Sequence, residues 1–282
     1  MKLKVITDST CDLPSDYYQK YEIAVVAVNI HFGTETYLDG ITIDHQTFYK
    51  KIDALGTVPK TSLPSVGQFA EVYREWAKQG YDTILSVHLT SSLSGLLNAA
   101  RLGAQEVANE VKVIPFDSLS GSAALGFMCV EAVEMARAGK TLEEILARLN
   151  QVAPRVRISL TLDTLRFAAL SGRISNIQSF VASMLNIKPI VCLREGKLIP
   201  EGRSRSRQAA FEQIVRLTQE AAGQSPIKLA VLHAQAPAEA ERLLADLKPR
   251  VNSLDCFVGN LTTSLAVHFG PGAIGTVVYP VS

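Results

Sequence analysis

Apolar and polar positions fall into two alternating rhythms along the chain. Short β-rich runs read LKVIT at 3–7, IAVVAVNIHF at 23–32, YDTILSV at 81–87 and VKVIPF at 111–116. Each has the length and β-branched content of a buried strand. Between them apolar residues recur at helical spacing over Gly67–Gln79 and over Leu93–Ala108, where Leu93, Leu96, Leu97 and Ala100 share a face. Strand and helix in alternation predict parallel strands joined by crossover helices, an arrangement that collects binding residues at the carboxyl ends of strands. Helical patterns at 119–138 and 141–152 close this half. Pro154 then interrupts, and a strand restarts within VAPRVRISLTLDTL.

The second half predicts strands at 157–162, 187–193, 227–233, 253–258 and 275–279. Its helices are expected near 163–170, 176–185, 206–222, 237–247 and 260–268. The boundary between two domains is therefore placed at 155/156. A chain of 282 residues with 47% apolar and 20% charged content is long enough for two cores.

Four hydroxyl-rich stretches follow predicted strands in the first half: Thr7–Thr10, Thr61–Ser65, Thr90–Gly95 and Asp117–Gly121. The third reads LSVHLTSSLSGLLNAA over 85–100, and it raises the question of what Ser94 does. A nucleophile elbow requires G-x-S-x-G, whereas Ser92 stands two residues before Ser94 and Leu96 two after. At a strand-to-helix junction the first helical N–H groups lack partners and the helix dipole is positive. Ser94 therefore reads either as a helix cap or as part of an anion-binding turn.

Charge and cysteine usage exclude other chemistries. A formal net charge of +1 with no long basic block gives no general attraction to nucleic acid. Cysteines 11, 129, 192 and 256 are widely spaced and read as buried free thiols, so no metal site is expected. The MKLKVITDST terminus lacks the apolar core of a secretory signal, and no run approaches a membrane span, so a cytoplasmic protein is expected.

Several motifs are misleading. GPGAIG at 270–275 matches G-x-G-x-x-G but precedes the last strand instead of opening a helix, so it reads as a turn that lets backbone approach closely. GSAALG at 121–126 lacks the Lys and Ser/Thr of a phosphate loop. His45 beside Asp44 makes a poor metal pair. His268 stands immediately before a turn expected to bare backbone N–H groups. GRSRSRQ at 202–208 reads as a solvated basic helix start, or as an anion or partner contact through Arg203, Arg205 and Arg207.

TDST at 7–10, TSLPS at 61–65, SSLSG at 91–95, SGRIS at 171–175 and HFGPGAIG at 268–275 together resemble the DegV family, in order over nearly the whole chain. Members of that family are similar to the fatty-acid-binding component of bacterial fatty acid kinase. The resemblance implies an α/β fold of two domains: an N-terminal α/β/α domain with a mainly parallel sheet (1–155) and a C-terminal two-layer α/β domain with a mixed sheet (156–282). An acyl-chain tunnel lies between them. It further implies a long-chain fatty acid as ligand, with no other cofactor, a carboxylate held by Thr61 and Ser94 with His268 close to the same head group, and Ser62 as a further fatty-acid-binding residue. Arg205, and with it Arg173, are implied in phosphotransfer or contact with a separate ATP-binding kinase subunit, and transient membrane contact fits the same role. No residue of this chain would be catalytic. Leu96 and Leu97 replace the Thr-Tyr that commonly follows LSG, and Cys11 replaces a small polar residue. The competing expectation is an independent enzyme, an acyl hydrolase or small-molecule kinase, using Ser94 and His268. A sugar or polyol binder would require more aromatic and carboxylate residues near these loops.

Overall fold

The computed structural model describes residues 2–174 and 187–282. The helix expected at 176–185 and Ser175 of SGRIS lie outside those residues. The protein has an α/β fold, and the described residues form three sheets.

In the first half, strands β1 (Leu3–Asp8), β2 (Ala24–Val26), β3 (Asn29–Phe32), β4 (Glu35–Leu38), β5 (Lys60–Ser62), β6 (Thr83–His88) and β7 (Lys112–Asp117) form two sheets. The larger is parallel throughout, in the order β2-β1-β6-β7, as the alternating rhythm predicts. Its central strands are buried on both faces. Ile6 and Ile84 pack with Phe69, Tyr73 and Ala100 of helices Val66–Lys78 and Leu96–Glu106, while Val5, Leu85 and Val87 pack with Phe127 and Met128 on the other side. Alternation of side chains along a strand sets which core each residue joins.

The single apolar run at 23–32 is divided in the structure. Residues 24–26 join the parallel sheet, and 29–32 leave it to pair antiparallel with β4 and β5. An unbroken apolar run carries no mark where the chain changes sheets, so the small antiparallel sheet is a feature the periodicity did not predict.

The second half supplies β8 (Arg157–Thr161), β9 (Lys188–Arg194), β10 (Lys197–Ser204), β11 (Ile227–His233), β12 (Ser253–Asn260) and β13 (Ile274–Pro280). They form one mixed sheet in the order β10-β9-β8-β13-β11-β12, in which only the β11–β12 pair is parallel. Helices Arg207–Ala222 and Pro237–Leu247 cover its outer face through Ile214, Leu229, Val231 and Leu243. Only the end of GRSRSRQ opens a helix: 202–204 finish edge strand β10, and Ser206 caps the helix that starts at Arg207, close to the expected 206–222. Pro200 sits in that edge strand beside a register shift, where a missing N–H is tolerated.

Helix Ser122–Arg137 lies between the two large sheets. Its residues 122–130 are all buried, and Phe127 meets both Phe257 of β12 and Tyr279 of β13. A helical stretch that is apolar all round is buried all round, and the charged residues Glu131, Glu134 and Arg137 appear only in the second half of this helix. The inner faces of both sheets and this helix form one continuous core, and the candidate site opens at its edge.

Candidate functional site

The turn after β6 positions Ser94. Thr90 N donates to Ser120 O at 2.8 Å and Ser91 Oγ donates to Asp117 Oδ2 at 2.6 Å, so the loop is anchored to the next strand's loop before it reaches the helix. Ser94 stands one residue before the N-cap, Gly95, of helix Leu96–Glu106, and its Oγ accepts from Leu96 N at 3.3 Å, so it satisfies the first helical N–H without being the N-cap residue itself. An oxygen that accepts a backbone N–H keeps its own proton to donate, so satisfying the helix start and binding an anion are compatible roles for one hydroxyl.

Ser94 lines a cavity of about 240 Å³ together with Thr61, Ser62, Arg173 and His268, so the fold brings five of the six singled-out residues to one place. Thr61 comes from β5, which the small antiparallel sheet carries across to the turn after β6. Ser62 lines the cavity with a hydroxyl already engaged: Asn29 Nδ2 donates to its Oγ at 3.3 Å, and His31 Nε2 lies 2.8 Å away. Arg205 is the residue not brought in. It is exposed at the junction of β10 and the following helix and is not among the residues lining this cavity. Its neighbour Arg207 bonds Glu239 at 2.8 Å and stacks on Phe211.

His268 reaches the cavity from the last turn of helix Thr263–Phe269. Burial, and then the neighbouring Arg173 charge, lower its pKa to about 4, so the ring is neutral at physiological pH. Its Nδ1 is buried without a hydrogen-bond partner among the described residues. The turn after it does not bare backbone N–H groups as the sequence suggested. Gly270 N donates to Ala266 O, Gly272 N to Ala234 O and Ala273 N to Gly270 O, at 2.8, 2.7 and 3.3 Å. The glycines serve instead for close approach: both have positive φ, and a Cβ would lie 2.4 Å from Phe167 at position 270 and 2.7 Å from Asp163 at 272.

The cavity adjoins a smaller apolar pocket. Leu89, Leu93, Leu198 and Leu265 line the cavity and also line a pocket of about 50 Å³ whose further walls are apolar residues such as Ile158, Leu193, Leu232 and Phe269. On the outer side Thr61, Arg173 and His268 continue into a groove of about 490 Å³ with Lys60 and Leu170. A site with hydroxyls, a neutral imidazole and one rim arginine at its mouth and only hydrocarbon within suits a ligand with a small polar head and an apolar tail.

Sequence reasoning missed the buried frame behind these residues. Asp8 Oδ1 accepts from Thr10 N and Thr10 Oγ1 at 3.0 and 2.5 Å, and Oδ2 accepts from Leu89 N at 3.0 Å, so one carboxylate fixes two lining residues. His88 Nδ1 lies 3.0 Å from Asp8 Oδ2, with Ser86 Oγ 2.7 Å from its Nε2 and Tyr73 OH 2.9 Å beyond. Burial alone would raise the Asp8 carboxyl, but the hydrogen bond and charge of His88, with Thr10 and Leu89, hold it below the usual range. The Ser86–His88–Asp8 order resembles a hydrolase triad, yet all three side chains are fully buried. It is a frame. The signal was Asp8 in TDST, whose carboxylate at a strand end needed partners.

Asp12 is a second buried carboxylate, accepting from Thr262 N at 2.8 Å and from Ser122 Oγ. Desolvation pushes it up to about 7, against the lowering effect of those bonds. A folded pKa above the unfolded value of about 3.8 means that the folded state holds the extra proton between those two pH values. Its contribution to stability is thus complete below pH 3.8 and lost as pH rises through 7. Asp12→Asn can keep both contacts and carries no charge. It should gain about 2 kcal/mol on wild type between pH 5 and 8, read by denaturant unfolding at each pH. Comparison with the variant isolates Asp12 from His268, whose lowered pKa gives a slope of opposite sign between pH 6.5 and 4. A constant difference across that range would refute the assignment.

The DegV family model, whose description reads "Uncharacterised protein, DegV family", matches residues 2–281. The chain belongs to the DegV family. Its DegV relatives include Protein DegV of Bacillus subtilis, 30% identical over 277 residues and covering 98% of both chains. A Thermotoga maritima protein named fatty acid-binding protein is 30% identical over 280 residues, covering 98% of this chain and 96% of its own. Among solved structures, a DegV family protein from Thermus thermophilus, described for its fatty acid binding, is 31% identical, covers both chains fully and superposes with a TM-score of 0.90. DegV proteins thus include established fatty-acid binders with this fold. Among the described residues no cluster of three or more His, Cys, Asp or Glu forms a metal site, and no helix is long and apolar enough to cross a membrane.

Proposed function

We propose that the chain binds a long-chain fatty acid, with the carboxylate at Thr61, Ser94 and His268, and presents it to a separate ATP-binding kinase subunit for phosphorylation to an acyl phosphate. The observation that carries the reading is the continuity of a hydroxyl-lined mouth with an apolar pocket through Leu89, Leu93, Leu198 and Leu265. The fatty-acid-binding relatives support it at the level of ligand class. The acyl chain supplies affinity by burial, and the mouth supplies two hydroxyl donors and an imidazole. Ser62, engaged with His31 and Asn29, shapes the mouth beside them. The two domains, 1–155 and 156–282, enclose the chain between them.

Presentation, rather than turnover by this chain, is supported by the state of Ser94. Its oxygen accepts from Leu96 N, and no hydrogen bond joins it to His268 among the described residues. A nucleophile would need a base within about 3 Å. Arg173 at the rim and exposed Arg205 are the cations for the transferred phosphoryl group or the kinase surface.

Titration of the delipidated protein with palmitate and with hexadecanol separates head from tail. Palmitate should bind one per chain and at least tenfold more tightly than the alcohol, since about 1.4 kcal/mol of head-group contact suffices for that factor. Equal affinity would remove the carboxylate site from the account.

A further inference from the structure

We propose that Asp39 is a positioning residue for the carboxylate site, acting through the helix Thr263–Phe269 that carries Ser264 and His268 into the cavity. The inference rests on the fatty-acid reading above. That helix begins poorly: Thr262 at its N-cap makes no side-chain bond to the helical N–H groups. Groups left bare at a buried helix start require outside partners. Two carboxylates from the first half of the chain supply them. Asp12 Oδ1 accepts from Thr262 N at 2.8 Å, and Asp39, buried in the turn after β4, accepts from Thr263 Oγ1 at 2.6 Å and Ser264 N at 3.3 Å.

The consequence follows from helix geometry. Ser264 and His268 stand four residues apart and so lie on one face, and both line the cavity. Leu265, Ala266, Val267 and Phe269 pack the helix into the core, but apolar contacts resist sliding and rotation less sharply than directed hydrogen bonds. Asp39 grips the helix through two consecutive residues and thereby sets the rotation that aims Ser264 and His268 at the head group. A contact spanning 224 residues of sequence ties the mouth's second-half wall to its first-half wall.

The test uses [1-13C]palmitate, whose carboxyl resonance reports hydrogen bonding at the head group. Asp39→Ala should move the bound resonance toward its value in a detergent micelle and weaken binding about tenfold. Thr263→Val, close in shape, should give a smaller shift and about a threefold loss. Asp39→Asn can still accept from Ser264 N and donate to Thr263 Oγ1, so it should weaken binding less than Asp39→Ala. If Asp39→Ala does not fold, Thr263→Val and Asp39→Asn decide. A wild-type resonance and affinity in the Asp39 and Thr263 variants, with Ser94→Ala moving the resonance, would show that Asp39 supports the fold alone and overturn the inference. A resonance unmoved by Ser94→Ala as well would overturn the carboxylate site and this inference with it.

Discussion

Ser94→Ala is expected to weaken fatty-acid binding by about ten- to a hundredfold without abolishing it. Removing one donor to a charged group costs roughly 1.5 to 3 kcal/mol, which gives that range. A tail of about fourteen methylenes contributes on the order of 11 kcal/mol at ~0.8 kcal/mol each, so the chain stays bound when its head loses one contact. The bond to Leu96 N, at 3.3 Å, is lost in the same variant, so stability should be measured beside affinity. A shorter fatty acid should suffer the same factor, because head and tail contribute separately. Calorimetric titration of palmitate and laurate checks both statements. Unchanged affinity in a folded variant would place the head group elsewhere.

Arg205→Ala should separate holding from transfer. The side chain is exposed and is not among the residues lining the mouth, so bound fatty acid should be retained at the wild-type level. In the proposed role Arg205 meets the kinase subunit or the charge developing on the phosphoryl group. Acyl-phosphate formation with that subunit and ATP should then fall tenfold or more, since ~1.4 kcal/mol of lost transition-state contact gives that factor. Arg207 is an unsuitable substitute because Glu239 and Phe211 already hold it. Wild-type phosphorylation by Arg205→Ala at saturating partner and lipid would leave Arg205 a solvated arginine. Loss of the lipid itself would move it into the binding site.

The parallel sheet was legible because buried parallel strands are written as short apolar runs, and LKVIT, YDTILSV and VKVIPF each became one strand. The small antiparallel sheet was not, since the run at 23–32 looks the same whether its two ends join one sheet or two. Strand β10 was hidden by Pro200 and Gly202, which are tolerated there because it is an edge with a shifted register. In the site, hydroxyl clusters at strand ends and the five ordered motifs pointed to Thr61, Ser94, Arg173 and His268, which share one cavity. Asp39 and Ser264 gave no comparable signal. They meet in a contact between residues 225 apart, and no local pattern in either segment records it.

The central claim is that this chain holds a long-chain fatty acid. Native mass spectrometry of the purified protein, followed by analysis of its organic extract, tests it most directly. The account predicts a mass increment of one long-chain fatty acid per chain and recovery of that acid in the extract. A bare polypeptide mass that stays bare after incubation with palmitate and with oleate would contradict it.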